Sequence, residues 1–90
     1  MVKRISFNVQ GRVQGVSFRY FTQKKARSLN ISGWVRNTFD GAVEGEAQGD
    51  EVAIQSLVKE LGIGPSQARV DKLEKSEIEN VDGETRFDVR

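Results

Sequence analysis

Apolar and polar residues alternate at the start of the chain and then change to a helical spacing. The first run has the period of a half-buried strand, with its apolar positions at Ile5, Phe7 and Val9. From Phe18 the apolar residues recur on one face of a helix, at Phe18, Phe21, Ala26 and Leu29. The pattern therefore predicts a strand, a loop over residues 11–17 and a helix that ends near Asn30.

A β-hairpin is predicted next. Residues 31–36 and 43–47 each alternate between apolar or small residues and polar ones. Between them lies Thr38-Phe39-Asp40-Gly41, whose Asp-Gly pair tolerates the positive φ of a tight turn.

The second half of the chain predicts one more helix and two strands. Asp50 is suited to the N-cap and Gly62 to the C-cap of a helix whose apolar positions are Ile54, Leu57, Val58 and Leu61. After a Gly64-Pro65 turn we expect a strand over 68–76 centred on Val70, a turn over 80–83, and a short last strand over 85–89.

This order of elements is strand, helix, strand, strand, helix, strand, with a small terminal strand. It predicts an α+β fold of the ferredoxin-like type, a βαββαβ sandwich in which an antiparallel sheet carries two helices on one face. Residues 1–90 are expected to form a single domain, because no linker or low-complexity segment interrupts the pattern.

The topology brings two distant polar residues to one edge of the sheet. In a right-handed βαβ unit the two strands are parallel, so their C-terminal ends point the same way. The loop over 11–17, the start of the first helix and the end of the second strand therefore meet. We expect Arg19 and Asn37 to lie close together there.

The composition removes several kinds of catalysis. The chain has no cysteine and no histidine, which excludes thiolate nucleophiles, imidazole bases and sites that bind a metal through sulfur or imidazole. An enzyme built from this chain must use Arg, Lys, carboxylates, amides, hydroxyls and the backbone.

The net charge of +1 hides an uneven distribution. Residues 1–45 hold eight Lys and Arg against Asp40 and Glu44, whereas residues 46–90 hold six against eleven acidic residues. An anion would therefore meet the first half, unless folding interleaves the two halves. No apolar run is long enough for a membrane helix and the N-terminus does not resemble a signal peptide, so we expect a cytoplasmic location.

The loop before the first helix is a candidate anion site. Its glycines, Gly11 and Gly15, allow successive amides to turn inward, and the helix N-terminus adds partial positive charge. Taken alone, such a loop is more often a plain tight turn, because glycine turns are common. Arg19 favours the anion site, because a cation in the first helical turn opposes the helix dipole. Asn37 is common at strand ends for its turn chemistry, but beside such a loop its amide is able to hold a water molecule.

The remaining features have simpler interpretations. Lys24, Lys25 and Arg27 form a charged helix face, which is usually only solvated. The aromatic residues lack the run that an RNA-binding sheet displays. Trp34 covers a sheet face or lines a cleft, and both alternatives stay open.

Two long motifs resemble the signatures of one family. GRVQGVSFR at Gly11 to Arg19 resembles the GxVQGVxFR signature of acylphosphatases, and GWVRNTFDGAVEGEAQG at Gly33 to Gly49 resembles GWVRNxxDGxVE followed by a glycine. Gly64-Pro65, Ala68-Arg69-Val70 and Phe87 also look like this family. The resemblance covers nearly the whole chain and implies the ferredoxin-like fold.

The resemblance also implies a function and its residues. It implies hydrolysis of the carboxyl-phosphate bond of acyl phosphates, by attack of a positioned water molecule and without metal or cofactor. Arg19 would bind the phosphate and Asn37 would position the water. The phosphate-binding loop would use the backbone amides of Gln14, Gly15, Val16, Ser17, Phe18 and Arg19.

The sequence and the resemblance together predict the binding partners. We expect a small-molecule acyl phosphate as substrate and inorganic phosphate as product, no nucleic acid, no membrane and a monomer. One alternative is a non-catalytic anion-binding or regulatory module on the same fold. Another is the acylphosphatase-like part of a larger carbamoyl-transfer maturation protein.

Overall fold

Seven elements follow one another in the computed structural model, which describes all 90 residues. They are β1 (Val2–Arg12), α1 (Phe18–Ser28), β2 (Ser32–Asn37), β3 (Val43–Asp50), α2 (Glu51–Ile63), β4 (Arg69–Ile78) and β5 (Phe87–Val89). The strands form one sheet in the order β4-β1-β3-β2-β5. All neighbours are antiparallel except β5, which runs parallel to β2. The predicted ferredoxin-like fold is confirmed, with the small fifth strand making the sheet mixed.

One face of the sheet and both helices enclose the core. Alternate residues of β1 are buried, as the period of two requires, and α1 and α2 each bury residues spaced by three or four. The largest fully buried side chains are Phe18, Phe87, Leu57 and Leu61. Because strand and helix residues belong to one apolar cluster, both helices pack on the same face.

The first strand is longer than the sequence pattern predicted. Gly11 and Arg12 were placed in the loop, but they pair with Val70 and Arg69 of β4, after a shift of register between Gln10 and Gly11. A Cβ at Gly11 would lie 2.2 Å from the carbonyl oxygen of Arg69, so the glycine permits close backbone approach. The loop therefore spans only residues 13–17.

Two details of the helices also differ from the prediction. Gly62 is not the C-cap of α2; it lies inside the helix, and Gly64 is the cap with a φ of 73°. A Cβ at Gly64 would lie 2.8 Å from the ring of Phe18, so this cap position has no room for a side chain. In α1, Phe21 is only half-buried, and Thr22 is fully buried with its hydroxyl donating to the Phe18 carbonyl at 2.9 Å.

Folding pairs part of the uneven charge along the chain. Basic residues of the first half pair with acidic residues of the second half, at 2.8 Å for Arg4–Glu84 and 3.5 Å for Lys25–Glu60. Folding interleaves the two halves, so the uneven charge along the chain does not by itself locate an anion site. Neither helix combines the length and the hydrophobicity that crossing a membrane requires.

The segment 79–86 is fastened to the sheet face that the helices leave open. Arg4 of β1 is 2% exposed and contacts Glu46 and Glu84 at 2.8 Å each. Gln48 accepts from the Val81 amide at 2.7 Å and donates to its carbonyl at 2.9 Å. Burial alone would raise the pKa of Glu84, but hydrogen bonds from Arg4 and Ser32 and the charges of Arg4 and Arg90 lower that pKa below its ordinary value.

Candidate active site

The loop between β1 and α1 is anchored by its apolar residues and shaped by its small ones. Val13 and Val16 are buried in the core. Gly15 has a φ of 72° and Ser17 a φ of 62°, so two left-handed residues turn the backbone just before the helix. Left-handed geometry is unusual for serine and suits a loop that must present its amides at a helix N-terminus.

The N-terminus of α1 differs from that of α2. Asp50 caps α2 by accepting from the Val52 amide at 3.2 Å, and Glu51 occupies its first turn. At α1 the Ser17 side chain makes no capping hydrogen bond, and no acidic residue lies in the first turn. The first amides of α1 therefore have no side-chain acceptor, and the positive end of the helix dipole is not neutralised.

Arg19 is held by the opposite end of the chain. Its Nη1 donates to the main-chain oxygen of Arg90 at 3.0 Å. The Arg90 amide donates in turn to the Val35 carbonyl at 2.8 Å, and its guanidinium lies 4.8 Å from the ring centre of Trp34. Arg90 therefore joins β2 to the guanidinium of Arg19.

Trp34 was predicted either to cover a sheet face or to line a cleft, and its surroundings decide between the two. The guanidinium of Arg36 lies over its ring, 5.2 Å from the ring centre, and the guanidinium of Arg90 lies over the same ring. Trp34 lines a groove on the open face of the sheet, with Arg36, Glu44 and Glu46 among its neighbours. It thus covers the sheet face and stays outside the cleft that contains Arg19.

Asn37 ends β2, opposite Val43 of β3. The following turn is closed by Thr38, whose amide donates to the Ala42 carbonyl at 2.9 Å and whose hydroxyl accepts from the Ala42 amide at 3.0 Å. The side chain of Asn37 is half-buried and makes no hydrogen bond to another protein group. Its amide is therefore free to bind another molecule.

Gln14 connects the loop between β1 and α1 to this turn by hydrogen bonds. Its Nε2 donates to the carbonyl oxygens of Thr38 at 2.7 Å and Ala42 at 2.9 Å. Sequence reasoning assigned Gln14 only a backbone role and missed this contact, because the partner carbonyls lie 24 and 28 positions away. The contact fixes the distance between the loop and the strand end that carries Asn37.

Arg19 and Asn37 line one cleft of about 300 Å³. Its complete lining is Val13, Gly15, Ser17, Phe18, Arg19, Tyr20 and Asn37. The structure brings these two residues together as the topology predicted. Of the six residues named for the phosphate-binding loop, Gln14 and Val16 do not line the cleft; the Val16 side chain is in the core, and that of Gln14 is on the hairpin turn.

The other basic residues of α1 have different surroundings. Lys25 pairs with Glu60 at 3.5 Å and lies 5.7 Å from the ring centre of Phe21. Lys24 and Arg27 are exposed and do not line the cleft. Arg19 is the only Lys or Arg that does.

These features define a class of protein. The chain has a ferredoxin-like α+β fold with a small cleft, in which an arginine, an unpaired asparagine amide and an uncapped helix N-terminus converge. A cleft with this donor set is suited to a tetrahedral oxyanion such as a phosphoryl group.

Comparison with known proteins gives the family. The family model described as Acylphosphatase matches residues 5–89. The chain is 44% identical to an acylphosphatase of Salinibacter ruber over 88 residues, which cover 98% of this chain and 93% of that one. It is 49% identical to an acylphosphatase of Bifidobacterium longum over 83 residues, covering 91% and 86%.

A solved structure agrees with these relatives. The crystal structure of acylphosphatase from Bacillus subtilis superimposes with a TM-score of 0.93 at 39% identity, over 100% of this chain and 99% of that one. The chain therefore belongs to the acylphosphatase family. The expectation of a hydrolase acting on acyl phosphates is confirmed, and the alternative of a non-catalytic anion-binding module is not favoured.

Proposed function

We propose that this chain hydrolyses the carboxyl-phosphate bond of a small-molecule acyl phosphate in the cleft shared by Arg19 and Asn37. The observation that carries this proposal is that one cleft unites two residues 18 positions apart in the sequence. Each supplies a group that phosphoryl transfer needs, namely a fixed cation and a neutral donor and acceptor for water.

Arg19 and the loop amides bind the phosphoryl group. Charge spreads over the three equatorial oxygens in the loose transition state, so fixed donors stabilise it without rearranging. A guanidinium offers two parallel N–H groups to two oxygens, and the amides around Gly15, Ser17 and Phe18 contact the rest. Because Arg90 already holds Arg19, less side-chain freedom is lost when the phosphoryl group binds.

Asn37 positions the attacking water in line with the bond that breaks. The water oxygen forms a bond to phosphorus while the bond from phosphorus to the acyl oxygen breaks. The electron pair of the broken bond leaves with the carboxylate. The water proton passes to a phosphate oxygen of the substrate. A carboxylate is a weak base, so it leaves without a proton from a general acid, which fits a chain with no histidine.

The same proposal covers the partners. Residues 1–90, acting as a monomer in the cytoplasm, suffice for the reaction and use no metal, nucleic acid or membrane. Turnover of acetyl phosphate in excess chelator is expected to equal turnover without it, and a strict requirement for added Mg²⁺ would contradict the scheme. A titration with single-stranded RNA at low salt is expected to be flat.

The deciding experiment measures benzoyl phosphate hydrolysis and phosphate inhibition in matched variants. Arg19→Gln is expected to weaken phosphate binding and nearly abolish turnover. Asn37→Ala is expected to abolish turnover and spare phosphate binding. The controls Arg12→Gln and Asn80→Ala change exposed residues outside the cleft and are expected to behave as the parent. Parental turnover in either cleft variant would refute the assignment.

A further inference from the structure

An exposed aromatic ring stands beside the cleft without a partner. Tyr20 follows Arg19 in the first turn of α1, lines the cleft and is 62% exposed. Its ring takes part in no aromatic or cation–π contact, and its hydroxyl makes no hydrogen bond to the protein. Neither the phosphate-binding nor the water-positioning role uses this residue.

Among the large exposed apolar residues, Tyr20 alone lines this cleft. The others are Met1, Val2, Phe39, Val52, Ile63 and Val81, and none borders the same space. Scattered exposed apolar residues are ordinary, but an aromatic side chain at the mouth of a substrate cleft is placed to contact the substrate.

Asn37 borders a second cleft of about 380 Å³ on its other side, where Phe39 is the sole apolar residue. That space also holds Asp40 and Glu44, whose carboxylates make it polar. The cleft with Tyr20 instead has no acidic residue in its lining, and Tyr20 is its one exposed apolar side chain, since Val13 and Phe18 are buried in the core. On the Tyr20 side an acyl group therefore meets an exposed aromatic ring and no carboxylate.

The direction of the reaction agrees with this choice. In an in-line displacement the leaving group lies opposite the attacking water. If Asn37 at the end of β2 holds the water, the acyl group points away from that wall of the cleft. Tyr20 lies on α1 and not on β2, so the acyl group has room to extend toward it.

We propose that Tyr20 forms the acyl-binding side of the site and that its ring favours acyl phosphates with a planar, apolar acyl group such as an aryl group. This proposal rests on the proposed function, because it takes Arg19 and Asn37 to bind the phosphoryl group and the water. The exposed tyrosine ring gives a flat apolar surface that an aryl group stacks on.

The test compares benzoyl phosphate with acetyl phosphate in the parent, Tyr20→Ala, Tyr20→Phe and Phe39→Ala. Tyr20→Ala is expected to lower the benzoyl-to-acetyl ratio of kcat/KM by about three- to tenfold, mainly through KM for benzoyl phosphate. Tyr20→Phe is expected to keep the parental ratio, since it keeps the ring. Phe39→Ala removes an exposed aromatic ring from the other side of Asn37 and is expected to leave the ratio unchanged.

Binding without turnover separates this proposal from the proposed function. Tyr20→Ala is expected to weaken benzylphosphonate about three- to tenfold relative to methylphosphonate in calorimetric titrations. An unchanged ratio for both the substrates and the phosphonates, or an effect in Phe39→Ala in place of Tyr20→Ala, would overturn the role of Tyr20. A parent that binds both phosphonates but hydrolyses neither substrate would overturn the proposed function alone, and the phosphonate ratio would still decide on Tyr20.

Discussion

The guanidinium of Arg19 donates a hydrogen bond of 3.0 Å to the main-chain oxygen of Arg90, 71 positions further along the chain. Arg90 is itself fixed by its amide on Val35 and by its side chain over the Trp34 ring. The orientation of the residue proposed to bind phosphate therefore depends on an aromatic ring on the other face of the sheet.

Removing the Arg90 side chain tests this dependence. Arg90→Ala keeps the oxygen that Arg19 contacts but loses the contact with Trp34, which is worth about 0.5–1 kcal/mol. We expect inhibition by phosphate to weaken about two- to fivefold, with a smaller change in kcat. Arg36→Ala is the control, since it removes the other guanidinium over Trp34 and leaves Arg19 untouched. Equal effects in the two variants would argue against the positioning role.

The contact between Gln14 and the hairpin turn is expected to matter for catalysis more than for binding. Gln14→Leu keeps the approximate side-chain volume and removes both donors to Thr38 and Ala42, at a cost of about 1–2 kcal/mol in the free energy of unfolding. Because Asn37 then shifts relative to the loop, kcat is expected to fall about ten- to a hundredfold. Gln10→Leu removes exposed bonds to Asn8 and Glu74 and should turn over substrate like the parent. A parental kcat for Gln14→Leu would show that the loop holds its position without this contact.

Arg4 is expected to contribute strongly to stability. Arg4→Met leaves Glu46, Glu84 and Gln48 without their buried cation, and we expect a loss of about 2–3 kcal/mol in the free energy of unfolding by urea titration. Arg69→Met breaks an exposed pair with Asp71 and should cost less than about 1 kcal/mol. Similar losses in the free energy of unfolding in both variants would mean that burial does not strengthen the ion pairs of Arg4.

The lowered pKa of Glu84 gives stability a pH dependence with a definite sign. A carboxyl whose pKa is lower in the folded than in the unfolded state stabilises the fold above its unfolded pKa. That contribution is lost as the pH falls through the folded pKa, when the paired carboxylate takes up a proton. We therefore expect the midpoint of urea unfolding to fall as the pH drops below the ordinary range of a glutamate.

Glu84→Gln isolates this carboxyl. The variant is expected to be less stable than the parent at neutral pH and to lose less of its stability on acidification, because the group that takes up the proton is absent. Glu79→Gln, in the same segment but without an ion pair, serves as the control. Parallel pH curves for the parent and Glu84→Gln would contradict the role of Glu84.

Most of the fold follows from local patterns. The strand period of two, the helical spacing after Phe18, the Asp40-Gly41 turn and the Asp50 cap each depend on neighbouring residues, so the elements and their order were predictable from the sequence. The handedness of the first βαβ unit then sufficed to predict that Arg19 and Asn37 meet.

What the tertiary structure decided depends on partners far away in the chain. Gly11 belongs to β1 because β4 pairs with it, and the close packing of the Phe18 ring on Gly64 leaves no room there for a side chain. The contacts of Gln14 with the hairpin turn and of Arg19 with Arg90 join atoms that no local period relates. The sequence alone determined the elements and the two residues that we propose for the active site, because periodicity and motif spacing are local. The tertiary structure decided how these residues are held, because hydrogen bonding and packing join segments that lie far apart in the chain.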